Sequence, residues 1–135
     1  MRRILIASHG SLASGILSSL EILLGNAGNV TTIDAYLDSK DFKQQVEEFF
    51  LAVQPADEVL MLSDLYGGSV NQILYLFLER KNTRLIAGYN LALVLELALI
   101  EGDISDDDLI RIVTSSKEAI QIVSYQQKQQ EEDFF

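Results

Sequence analysis

Ile4-Leu5-Ile6-Ala7-Ser8-His9-Gly10-Ser11 opens the chain with an unbroken apolar run that gives way to small and polar residues. An apolar stretch of strand length without alternation suits a strand covered on both faces, as in a parallel sheet. Residues 4–8 therefore read as a first strand. His9, the only histidine, stands at its carboxyl end, where open α/β sheets place their chemistry.

Outward from that strand the pattern alternates. Leu12, Ile16, Leu20, Leu23 and Leu24 fall on one helical face, and Gly25-Asn26 ends the helix. Val30–Ala35 is β-branched and reads as a second strand. Phe42, Val46, Phe49, Phe50 and Val53 mark an amphipathic helix stopped by Pro55. Glu58–Ser63 is a third strand, followed by a helix through Val70, Ile73, Leu74, Phe77 and Leu78 that is expected to reach Lys81. Thr83–Ala87 is a fourth strand that turns at Gly88, and residues 91–100 read as a buried helix.

The segment 101–108 holds five carboxylates and no base, a solvated loop. Ser105 with Asp108 resembles a capping box opening a last helix, with Leu109, Ile112, Val113, Ile120 and Val123 along one side. The polar tail 126–135 is expected to fray.

This βαβαβαβ order with right-handed crossovers predicts an α/β fold. It is an open, mainly parallel four-stranded sheet with helices on both faces and a C-terminal helical segment, in one domain over residues 1–135.

The 135 residues are 48% hydrophobic, enough for a real core, and include no cysteine. That excludes disulfides, thiolate metal sites and cysteine catalysis. The net charge of −10 and pI near 4.4 argue against nucleic acid and anionic membrane surfaces as partners. Arg2-Arg3 precedes too short an apolar run for a signal peptide, and residues 91–100, which carry Glu96, are too few to span a membrane. A cytoplasmic protein is expected.

A second polar segment, Asp64-Leu65-Tyr66-Gly67-Gly68-Ser69, follows the third strand. If the first and third strands are neighbours, His9, Asp64 and Ser69 converge on one rim. An imidazole can be a nucleophile, and a carboxylate that accepts the N–H of one ring nitrogen leaves the other's lone pair free. Main-chain N–H groups at a glycine turn and a serine hydroxyl can bind phosphate oxygens. Plainer readings stand beside these. His9 can be a strand-end histidine bonded to backbone, Asp64 a turn carboxylate, and Ser69 with Gln72 a capping box. His9 has no second histidine or cysteine to join it at a metal, and the GxGxxG and P-loop patterns are absent. Tyr66, beside Asp64, is a candidate partner contact.

Taken together these residues resemble the mannose-family enzyme IIA (mannose/fructose/sorbose type) of the bacterial phosphoenolpyruvate-dependent sugar phosphotransferase system. The likeness runs through residues 4–13 around His9, Leu20-Glu21-Ile22-Leu23-Leu24-Gly25, the loop 64–69 and Gly88-Tyr89-Asn90-Leu91. Val70 stands where the family usually has proline, and Leu91-Ala92-Leu93 where it usually has a Pro-Met-Leu stretch. The resemblance implies that His9 takes a phosphoryl group from the carrier HPr as a tele-phosphohistidine and passes it to an enzyme IIB of a IIC/IID permease. It implies that Asp64 orients His9, and that Gly10, Gly67, Gly68 and Ser69 hold the phosphoryl oxygens. It makes Leu65 and Tyr66 candidates for partner docking and implies a homodimer without metal, nucleotide or other cofactor. No enzyme IIB segment is expected behind a chain of this length.

Two alternatives remain: the phosphotransfer subunit of a dihydroxyacetone kinase system, told apart by its acceptor, and a non-catalytic regulatory binding module, told apart by binding that survives His9→Ala. A histidine phosphatase is set aside, because its arginine and second histidine are missing.

Overall fold

A computed structural model describes residues 1–125, and the expectation about the tail 126–135 lies outside them. Contacts divide the chain into two compact units, Met1–Ile100 and the segment from Glu101 onward. The first unit holds four strands: β1 (Arg2–His9), β2 (Val30–Ala35), β3 (Glu58–Ser63) and β4 (Thr83–Ala87). All pair in parallel, in the order β2-β1-β3-β4. The chain steps from β1 to one side, then returns past it to β3. The switch point therefore lies between β1 and β3, and the crevice beyond their carboxyl ends is where such sheets bind ligands.

Helices α1 (Leu12–Leu24), α2 (Phe42–Leu51), α3 (Ser69–Tyr75) and α4 (Leu91–Leu99) connect the strands or follow them. Strand side chains alternate between the two faces. Leu5, Ala7, Ile33, Val59 and Met61 gather with Phe42 and Val46 of α2 and Val70 and Leu74 of α3. On this face Phe50 stacks on Phe77 at 5.1 Å. Ile4, Ile6, Leu60 and Leu62, all fully buried, take the alternate positions. On that side α1 lies on β1 and β2 and packs against α4. The two-faced burial read from the apolar run is thus present in the sheet.

The amino edge of the sheet is closed by charge. Arg2 pairs with Glu58 at 2.6 Å and Arg3 with Asp57 at 3.1 Å. Asp57 also accepts the Gln54 N–H, and Arg80 donates to the Asp57 carbonyl. That leaves the carboxyl edge free for a site.

Some elements differ from the sequence reading. The helix expected to reach Lys81 is α-helical only to Tyr75, tightens into a 3₁₀ turn at Leu76–Glu79 and stops. Helix α4 buries Leu93, Val94 and Leu97 but exposes Leu99, so it is one-sided although Glu96 is its only polar residue.

In the second unit, α5 (Asp106–Glu118) begins with the expected capping box, Ser105 and Asp108 bonding each other's main-chain N–H. It ends before Ile120 and Val123, which are exposed rather than continuing its apolar side.

Candidate active site

Strand β1 ends at His9, and the next residues turn sharply into α1. Gly10 takes φ +64°, a left-handed conformation that suits glycine. The buried Ser8 hydroxyl donates to the Gly10 carbonyl and accepts the Ala13 N–H, both at 2.8 Å. Asp34, from the end of β2, accepts the Ser14 N–H and hydroxyl. Side chains from two strand ends thus satisfy the first turn of α1 and fix the base of the His9 loop.

The second loop is built the same way. Leu65 to Gly68 close a turn through the Gly68 N–H and the Leu65 carbonyl, with Gly67 at φ +77° where a type II turn demands a positive value. The Gln72 amide ties the turn down at the Gly67 carbonyl. Helix α3 then starts at Ser69 with Gly68 as its N-cap. The capping-box reading of Ser69 and Gln72 is therefore corrected. Ser69 is the first helical residue and its hydroxyl turns elsewhere.

It turns to His9. The ring of His9 is held at both nitrogens: Nδ1 lies 2.9 Å from Asp64 Oδ2, and Nε2 lies 3.1 Å from Ser69 Oγ. The same Asp64 oxygen accepts the His9 main-chain N–H at 2.9 Å. Burial pushes the Asp64 carboxyl up, but the two His9 hydrogen bonds and the attraction of the ring outweigh it and hold the group below its ordinary range. Asp64 is thus ionised at neutral pH and must accept from Nδ1–H. In the neutral ring the lone pair then lies on Nε2, and the Ser69 hydroxyl donates to it.

Asp64 Oδ1 is buried without a hydrogen-bond partner among the described residues, and both hydrogen bonds from His9 end on Oδ2. Gly68 lies so close that a Cβ there would sit 3.4 Å from His9 Cε1. Nearby, the buried Tyr89 hydroxyl donates to the Ala7 carbonyl. Burial first, then the charge of Asp64, pushes its pKa up to about 12, so it stays a neutral donor.

The anticipated residues do not all face inward. His9, Asp64, Gly68 and Ser69 come together. The Gly10 N–H is taken by the Ala35 carbonyl at 2.8 Å and the Gly68 N–H by Leu65 at 3.1 Å. Of the three glycine N–H groups, this leaves Gly67. Leu65 and Tyr66 stand 60% and 85% exposed on the same loop. Leu12 at the start of α1 and Tyr36 and Leu37 after β2 are exposed too, so the carboxyl rim of the sheet carries exposed apolar side chains after β1, β2 and β3.

Against known proteins, the family EIIA-man, described as "PTS system fructose IIA component", matches residues 3–114. The chain belongs to this family.

Among relatives, the PTS system mannose-specific EIIAB component of Escherichia coli K12 is 28% identical over 118 residues. The match takes in 84% of this chain, and the chain spans 36% of that relative's length. The PTS IIA protein associated with the fucose utilization operon of Streptococcus pneumoniae is 30% identical, with TM-score 0.79 over 96% of this chain and 95% of that one. The phosphotransferase system component EIIA of Streptococcus agalactiae is 30% identical, with TM-score 0.74 over 90% and 97%. As an EIIA-man member the chain carries its motif departures at two helix starts. Val70, the second residue of α3, is fully buried in the core, and Leu91-Ala92-Leu93 opens α4 behind its Asn90 cap.

Tyr36 is the site residue that sequence reasoning missed. It follows β2 directly, its ring lies 5.4 Å from that of His9, and its hydroxyl donates to Ser69 Oγ at 2.9 Å. The available signal was an aromatic at the carboxyl end of a strand, but only the observed pairing of His9 with Ala35 shows that this strand adjoins β1.

Proposed function

We propose that this chain is a phosphocarrier of a sugar phosphotransferase system, taking a phosphoryl group from the phosphohistidine of HPr onto His9 Nε2 and handing it to an enzyme IIB. The observation that carries the reading is the line Asp64–His9–Ser69 on a partly exposed ring: Asp64 takes the Nδ1 proton, and the lone pair stays on Nε2, held by the Ser69 hydroxyl until a phosphoryl group arrives. Phosphoryl transfer asks for positioning and charge stabilisation more than covalent help. As the Nε2–P bond forms, the bond from phosphorus to the donor's imidazole nitrogen breaks, and the donor leaves with that electron pair. No proton has to leave Nε2. The phosphorylated ring gains positive character, and the ionised Asp64 at Nδ1 offsets it.

Ser69 Oγ and the Gly67 N–H are the groups assigned to the phosphoryl oxygens. The Gly10 and Gly68 N–H groups keep their turn bonds, and those glycines act through loop shape and close approach. Among the described residues, none of the hydrogen bonds to His9 comes from lysine or arginine. A phosphoryl group held by hydroxyl and amide alone, at the end of a chain of neutral donors, can be passed on. The apolar rim with Leu65 and Tyr66 is the surface a partner covers, excluding water during the hand-over.

On this reading residues 1–135 act as one enzyme IIA in the cytoplasm, as a homodimer, and the sugar is met only further on, by IIB with its IIC/IID permease. Among the described residues no helix is long and apolar enough to cross a membrane.

Intact mass after incubation with phosphoenolpyruvate, enzyme I and HPr tests the proposal. An acid-labile gain of one phosphoryl group in wild type, absent in His9→Ala, is expected. No gain in wild type while HPr is phosphorylated overturns it.

A further inference from the structure

We propose that Tyr36 is a positioning residue for this transfer, holding the Ser69 hydroxyl in line with His9 Nε2. The inference rests on the reading of His9 as phosphoryl acceptor and adds a residue to it. The hydrogen bonds have one consistent direction: Tyr36 O–H to Ser69 Oγ at 2.9 Å, Ser69 O–H to His9 Nε2 at 3.1 Å, and His9 Nδ1–H to Asp64 at 2.9 Å. Each hydroxyl has a single proton, so a serine that donates to Nε2 must be fixed through its lone pairs. Tyr36 is the group that fixes it.

The placement of Tyr36 is itself constrained. Its φ of +69° is rare for a bulky side chain and persists only where the surroundings hold it. Its ring is held between His9, centroids 5.4 Å apart, and the buried Phe42, 6.4 Å apart. The pairing of Ala35 with His9 puts the next residue at the rim of the site. When Nε2 attacks phosphorus, the Ser69 proton must swing from the nitrogen to a phosphoryl oxygen. A hydroxyl already gripped at its oxygen makes that swing without drifting from the ring.

The test compares wild type, Tyr36→Phe, Ser69→Ala and the double variant, measuring the rate at which phospho-HPr labels each chain and the ¹⁵N shift of His9 Nε2. Tyr36→Phe keeps the ring packing and removes only the hydroxyl. We expect it to slow labelling about five-fold, the rate equivalent of one neutral hydrogen bond, and to move the Nε2 shift toward that of Ser69→Ala. In the Ser69→Ala background the same change is expected to do nothing further, since Tyr36 acts through Ser69. Wild-type rates and shifts in Tyr36→Phe, or losses that simply add in the double variant, overturn the role of Tyr36 and leave the phosphocarrier reading standing. A wild-type chain that phospho-HPr does not label overturns both.

Discussion

His9 is bonded at both ring nitrogens and at its own main-chain N–H, and two of those three bonds end on one oxygen of Asp64. That arrangement fixes ring rotation and tautomer together, because turning the imidazole over would break the Asp64 and Ser69 bonds at once. Gly68 sets the remaining coordinate. Its φ of −70° suits any residue, so glycine is needed for space and not for conformation. A methyl group there meets the Leu65 carbonyl at a tight 3.3 Å and just touches His9 Cε1 at 3.4 Å, so the turn that carries Ser69 must shift by a few tenths of an ångström beside the ring. Gly68→Ala is expected to slow phosphorylation on the order of ten-fold, since small displacements of a reacting group are costly. Its unfolding free energy should stay within about 1 kcal/mol of wild type, because the backbone tolerates the side chain. Labelling kinetics alongside urea denaturation decide this, and an unchanged rate would show that the ring has room to spare.

At the scale of elements, the four strands were legible because they are short, apolar runs bounded by turn residues, and three of them keep their expected limits. Asp64 and His9 were legible for the same reason, as polar residues at strand ends. The losses have local causes. Ser69 is a good N-cap by type, but Gly68 takes the cap and the hydroxyl goes to His9 instead. Tyr36 was invisible because strand order, unlike strand position, is not written in any one segment. Ile120 and Val123 continue the spacing of α5 in sequence, yet the helix closes at Ala119, whose N–H bonds Ser116 and Lys117. The start of that helix is better specified. Loss of the Ser105 side-chain bond in Ser105→Ala is expected to cost about 1 kcal/mol. It should be read as roughly five-fold faster hydrogen exchange in α5. Unchanged protection would mean that the capping box is not holding the helix end.

Over the first unit as a whole, the two edges of the sheet divide the work. The carboxyl edge carries the His9 cluster and its apolar rim, and the amino edge carries the ion pairs of Arg2, Arg3, Arg84, Asp57 and Glu58. Asp57 gathers several of these ties, pairing with Arg3 and with the chain's amino group and accepting the Gln54 N–H. The Gln54 N–H first, then Arg3, lower its pKa from 3.8 to about 2. Between those values the unfolded chain binds the proton that the folded chain refuses, so this stabilisation is complete above pH 4 or so and is lost as pH falls toward about 2. Asp57→Asn should therefore lower the urea midpoint at neutral pH, with the gap to wild type closing through that acid window. Phosphorylation of His9, at the opposite edge, should be unaffected. A gap that stays constant down to the bottom of the window would show that the charge of Asp57 contributes nothing to the fold.

The proposed transfer puts the chemistry on one atom, and that proposal can be read from the phosphorylated protein by long-range ¹H–¹⁵N correlation of His9. A phosphoryl group on Nε2, with Nδ1 still protonated toward Asp64, is the expected result. A phosphoryl group on Nδ1 would require the Asp64 bond to be broken and would contradict the arrangement described, as would a chain that carries its phosphoryl group on any other residue.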